Sequence, residues 1–232
     1  MDGKDKMTVT DITYTTRNDE EFTGILAAQD GDQKLPGILF ITAIWGIDKS
    51  ARAITEAWAD DGFLVSVPDI FWRQHPGPTT EREVAQGRYH AYDFDKGMLD
   101  MEDLVNHLRN HPRCNGKIAM LGICFGGRYA HLAAARFSID AAAAYHGTYI
   151  ERHLDETHKI TCPISFHFGE NDAVVPMDQV AAIQASYACH DKAEITSYPG
   201  AAHNFSTPFN DNFHIEVAKT SRDAVLKCFQ CM

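Results

Sequence analysis

The stretch Gly122-Ile123-Cys124-Phe125-Gly126-Gly127 limits what this chain can fold into more than any other. A short apolar run, Lys117 to Leu121, leads into it, and an Ala-rich segment of helical character, Arg128 to Phe137, follows. Strand, tight turn and helix in direct succession suit an α/β sheet, because flanking glycines relieve a turn that lifts one side chain clear of the strand end. Here that side chain is a thiol. The same six residues also suit a buried Cys packed as a small hydrophobe, so by themselves they leave nucleophile and core thiol both open.

The rest of the chain supplies the sheet. Thr8 to Tyr14 and Glu21 to Ala28 alternate as an antiparallel strand pair turning at Arg17-Asn18-Asp19. From residue 38 onward apolar runs alternate with helical spacing. Strands are expected at Ile38 to Thr42, Phe63 to Val67, Lys117 to Leu121, Ala141 to Tyr145, Pro163 to Phe168 and Glu194 to Tyr198. Helices are expected at Ser50 to Asp61, in one or two pieces over Glu81 to His111, then at Arg128 to Phe137, Met177 to Cys189 and Asn212 to Phe229. That alternation predicts an α/β fold with a mostly parallel sheet covered by helices on both faces, a three-layer sandwich. A length of 232 residues fits one such domain spanning 1–232.

A net charge of -11 disfavours nucleic acid and anionic membranes as partners, although a pocket can oppose the net sign. The longest strongly apolar run, Ile38 to Ile47, is too short to span a bilayer. Met1 to Lys6 is polar and leads into no signal-peptide core, so a cytoplasmic protein is expected. Six scattered cysteines then stay reduced, and Cys228-Phe229-Gln230-Cys231 reads as an incidental C-x-x-C at the chain's end. His107 and His111 are four apart on a predicted helix, but no H-E-x-x-H or Cys accompanies them, so neither metal nor another cofactor is expected.

In a sheet of this kind, functional groups collect beyond the carboxyl ends of the strands. Three fall there: Cys124, Asp172 in Gly169-Glu170-Asn171-Asp172, and His203 in Pro199-Gly200-Ala201-Ala202-His203-Asn204-Phe205. Each alone has a plainer role, as core thiol, turn residue or surface histidine. Their joint order, nucleophile then acid then histidine, is that of an α/β-hydrolase. Such a thiol needs a base to take its proton, and the base needs a carboxylate to fix its tautomer. The amide of Phe125 and one from the loop after the first parallel strand, Ile44, are the expected oxyanion donors.

With those residues in place the chain resembles the dienelactone hydrolase family, Cys-nucleophile α/β-hydrolases that open the lactone ring of dienelactone. The resemblance rests on Phe40 to Ile47 with Ile44-Trp45-Gly46, Val67-Pro68-Asp69, Asn115-Gly116-Lys117, the Cys124 turn, Gly169 to Asp172 with Val175-Pro176, and Gly200 to Phe205. It implies a Cys124-His203-Asp172 triad acting through a thiol acyl-enzyme on a small ester or lactone, with oxyanion amides at Phe125 and Ile44. Two departures stand out: Ala43 occupies the place of a family glutamate, and Thr207 that of one of two substrate-binding arginines, Arg82 matching the other. Arg82 equally suits a solvated helix surface. Trp45, Tyr89, Tyr145 and Phe205 are candidates for an apolar substrate pocket, or else for core filling. The competing expectation is a catalytically degenerate fold used for ligand binding or regulation. A monomer or homodimer is expected.

Overall fold

Ile38 to Ile41 and Ala119 to Ile123 have no polar side chain, and such runs belong to strands covered on both faces. The computed structural model, which describes residues 7–232, folds them so. The polar Met1 to Lys6 segment lies outside the described residues. Two compact units are present among the described residues, one of residues 7–40 and 44–118, the other of 41–43 and 119–232.

In the first unit, strands β1 (Met7–Thr15) and β2 (Glu21–Gln29) form the expected antiparallel pair, and β4 (Leu64–Pro68) adds antiparallel to β2. Strand β3 (Leu35–Ile41) then pairs parallel with β4. The order β1-β2-β4-β3 places the buried Tyr14 hydroxyl 2.8 Å from Ser66 Oγ, so the polar end of a core ring is satisfied. Helix α1 (Lys49–Asp60) starts at Asp48, whose carboxylate accepts the Ala51 amide at 2.8 Å, a side-chain N-cap. The long helical stretch resolves into α2 (Arg82–His90) and α3 (Phe94–Arg109), the second capped by Asp93. Met98, Met101, Leu104, Val105 and Leu108 form its buried stripe, as their spacing predicts.

The second unit takes strand β5 (Cys114–Ile123) from Ala119 onward, and β5, β6 (Ala141–Tyr145), β7 (Ile164–Gly169) and β8 (Ala193–Tyr198) pair in that order, all parallel. Strand β5 begins three residues before the apolar run and extends past it into Gly122-Ile123. Helix α4 (Gly127–Arg136) packs on β6, and α6 (Ile215–Phe229) on β6 and β7. The four alanines of β6 are fully buried, so helices approach that strand closely. Helix α5 (Met177–Ser186) is three residues shorter than expected, and α6 starts three later, where the His214 ring accepts the Val217 amide. A 3-10 segment at Ile150–Lys159 has no counterpart in the sequence reading. Among the described residues no helix is long and apolar enough to cross a membrane.

Candidate active site

Ile123 ends its strand in extended conformation, Cys124 turns into the left-handed region at φ 51, and a single 3-10 turn over Cys124–Gly126 feeds α4. Non-glycine residues seldom hold such a φ, and where they do the surroundings impose it. The imposition here is a close approach. A Cβ on Gly126 would collide with the carbonyl oxygen of Ile41, so only glycine lets the turn close against that strand end. Cys124 is half-buried, and all six cysteines are free thiols.

The turn after β7 carries Asp172, 4% exposed, with one carboxylate oxygen accepting the amides of Val174 at 2.7 Å and Val175 at 3.0 Å. Its other oxygen lies 2.7 Å from His203 Nδ1. A carboxylate only accepts, so Nδ1 carries the proton and Nε2 is left to face Cys124. The His203 loop follows β8 through Gly200 at φ 77, and Asn212 Nδ2 donates to the His203 carbonyl at 2.9 Å. Burial pulls the His203 imidazole down, but the hydrogen bonds with Asp172 and Cys124, and their charges, outweigh it and raise it to about 9. The ring therefore carries a proton at neutral pH. Cys124, Asp172 and His203 thus come together within the second unit, from the ends of three different strands.

The expected pocket residues are divided between the two units. Phe205 is fully buried beside His146, ring centroids 5.7 Å apart, and Tyr145 is buried and stacked 5.3 Å from His167. Both positions are those of core rings. Ile44, Trp45, Arg82 and Tyr89 belong to the first unit. Arg82 is an exposed first residue of α2, Tyr89 is half-buried with its ring 5.1 Å from His90, and the Trp45 carbonyl accepts the Thr79 amide at 3.1 Å. Phe125 is buried directly after the thiol. Thr207 is buried, its amide donating to the Asn204 carbonyl at 2.9 Å. His107 packs edge-on to Tyr14, and His111 Nδ1 accepts the Arg113 amide at 3.2 Å. Among the described residues no cluster of three or more His, Cys, Asp or Glu has a metal-holding arrangement. Burial raises the Cys228 thiol to about 12, while Cys231 is exposed.

Two polar residues that sequence reasoning passed over are central to their surroundings. Arg88, 2% exposed, reaches three carbonyls: Ile44 through Nε at 2.9 Å and Nη2 at 2.6 Å, Gly77 at 2.7 Å and His75 at 3.2 Å. It stands over the Phe71 ring at 4.5 Å. Its only sequence signal is spacing: Ala85 and Arg88, three apart, are the buried face of α2. Arg88→Met keeps the bulk and strands three carbonyls, so urea unfolding should show a loss of about 3 to 5 kcal/mol. A loss under about 1 kcal/mol would mean that those oxygens find other donors. The second residue is His146, fully buried after β6 with its ring 4.6 Å from that of His203. Its signal is a lone His-Gly at a strand end.

Residues 22–232 match the model of the "Dienelactone hydrolase family". The chain is 27% identical over 206 residues to the carboxymethylenebutenolidase of Pseudomonas putida, covering 86% of this chain and 87% of that one. To the carboxymethylenebutenolidase 1 of Cupriavidus pinatubonensis it is 27% identical over 208 residues, 87% of this chain and 88% of that protein. A solved structure from Klebsiella pneumoniae has a TM-score of 0.88 at 21% identity, over 97% of this chain and 99% of the other. A dienelactone hydrolase-like promiscuous phosphotriesterase from metagenomic libraries has a TM-score of 0.84 at 18% identity, covering 97% and 98%. These two likenesses establish the α/β-hydrolase fold.

Proposed function

Since the chain belongs to the dienelactone hydrolase family, we propose that it hydrolyses small esters or lactones through Cys124, His203 and Asp172. The observation that carries this reading is the 2.7 Å contact of His203 Nδ1 with Asp172, with Cys124, at a strained turn, hydrogen-bonded to the same imidazole. The Cys124 thiolate attacks the carbonyl carbon while His203 holds the proton. Collapse of the tetrahedral adduct expels the alkoxide, which takes that proton from His203 Nε2, leaving a thioester on Cys124. In a lactone the alkoxide stays tethered to the acyl group.

Consuming the thiolate removes two of the influences that raise His203, so the imidazole, having given up its proton, is more readily left neutral and free to act as the base of the second step. It takes a proton from water, hydroxide adds to the thioester, and the acid departs with Cys124 regenerated. The Phe125 amide, directly after Cys124 in the turn that leads to α4, suits an oxyanion donor, and one such donor is worth about 3 kcal/mol in the barrier. Ala43 and Thr207 carry no charge, so we expect no preference for a substrate carboxylate to arise at these two positions. The substrate is a small molecule, and the chemistry requires no cofactor.

Rapid acid quench after mixing with p-nitrophenyl acetate should give an acetyl group on the Cys124 peptide by mass spectrometry. Turnover without a trapped acyl-cysteine would sink the thiol route and leave direct attack by water. Selective labelling of Cys124 without turnover would instead favour a binding module.

A further inference from the structure

Directly after β6, the three residues His146-Gly147-Thr148 touch both halves of the reacting pair. The Thr148 amide donates to the Cys124 carbonyl at 3.0 Å, and its hydroxyl reaches the same oxygen at 3.5 Å. Gly147 lies so close to Gly127 that a Cβ on either would strike the other's Cα, which fixes the strand end against the start of α4. His146 anchors the segment by donating its amide to the His167 carbonyl at 2.7 Å. Its ring stands edge-on to His203, at 64°, and its Nε2 lies 3.3 Å from Ser206 Oγ on the loop that carries His203.

Packing alone does not account for a histidine there. His146 holds a left-handed φ of 38, and its buried Nδ1 has no hydrogen-bond partner among the described residues. Both are unfavourable, and a hydrocarbon ring would avoid the second. We propose that His146-Gly147-Thr148 is a clamp that sets thiol and imidazole in register, with His146 a positioning residue for His203 and Thr148 one for the Cys124 backbone. The proposal rests on reading Cys124 and His203 as the reacting pair. The His146 ring is the wall that fixes the orientation of His203; its Nε2 contact with Ser206 tethers the loop.

Burial, and then the neighbouring His203, push the His146 imidazole well below its ordinary value. A neutral ring can lie against an imidazolium without repulsion, which a cation in that place could not. The titratable groups facing His203 are His146, Asp172 and Cys124; His146 itself meets His203 and, through its backbone, His167.

The test compares His146→Asn, which tolerates the left-handed backbone but removes the ring, with His146→Phe, which keeps the ring and loses the tether, and Ser206→Ala, which loses only the tether. Readouts are kcat and KM on p-nitrophenyl acetate, thermal unfolding, and the NMR titration of the His203 ring proton, assigned with His203→Gln. His146→Asn should lower kcat at least about tenfold with KM within about twofold. It should also move the His203 midpoint by at least about half a unit. His146→Phe and Ser206→Ala should each stay within about threefold of native kcat, below native, with the midpoint retained.

A folded His146→Asn with native kcat and midpoint overturns the clamp, and so does a folded His146→Phe as impaired as the Asn variant. If His146→Asn does not fold, native kcat in both Ser206→Ala and His146→Phe overturns it, and the graded loss supports it. The NMR midpoint needs no turnover. A midpoint moved by His146→Asn in a protein that hydrolyses nothing would therefore sink the hydrolase reading and keep the clamp.

Discussion

Cys124→Ala is expected to lower kcat for ester and lactone substrates by about four orders of magnitude, with KM little changed, in steady-state assays on the folded variant. The size follows from the role proposed for the thiol. Without it there is no thioester intermediate, and what remains is oxyanion stabilisation and water activated by His203. Alanine keeps the fold because it occupies the same backbone at φ 51 and the close approach of Gly126 to Ile41 is untouched. Retention of even about a tenth of the activity would show that water attacks the substrate directly.

Asp172→Asn is expected to cost nearly as much, about four orders of magnitude in kcat, without disturbing the turn. The oxygen of the new side chain can still accept the Val174 and Val175 amides, so its NH2 group is presented to His203. Two donors cannot share that 2.7 Å contact, so Nδ1 gives up its proton and Nε2 takes it. An Nε2 that already holds a proton cannot accept one from the thiol. Activity within about a hundredfold of native would mean that the tautomer is set elsewhere.

The same substitution has a pH signature. His203 is raised from 6.5 to about 9 in the folded protein, so folding binds its proton more tightly than the unfolded chain does. That contribution to stability is complete below about 6.5, the unfolded value, and is lost as pH rises through about 9. The native-minus-variant difference in urea midpoint should therefore be large near pH 6 and small near pH 10, these being about the limits of that window.

The elbow and the order of Cys124, Asp172 and His203 were legible in the sequence because each depends on local composition: a strand, a Gly-rich turn, a helix start. The boundaries were less so. Strand β5 begins at Cys114, not Lys117, because ladder pairing does not require the apolar side chains by which a strand is recognised. The 3-10 segment at Ile150–Lys159 is mostly polar and short in repeat, so it left no period to read. Arg88 and His146 were illegible for a different reason. Nothing near them in sequence announces that three carbonyls, or a second imidazole, will be waiting at that place. Tyr145 and Phe205 show the converse, since an aromatic at a strand end looks the same from the sequence whether it faces a ligand or the core.

Arg88 also governs how its surroundings can move. One guanidinium grips Ile44 on one side and His75 and Gly77 on the other. Neither loop can peel away by itself without leaving part of that cation facing nothing, an arrangement with no low-energy halfway state. The two loops are therefore a single cooperative element, opening together on the timescale of local unfolding or remaining closed together, and their amides share one free energy of exposure.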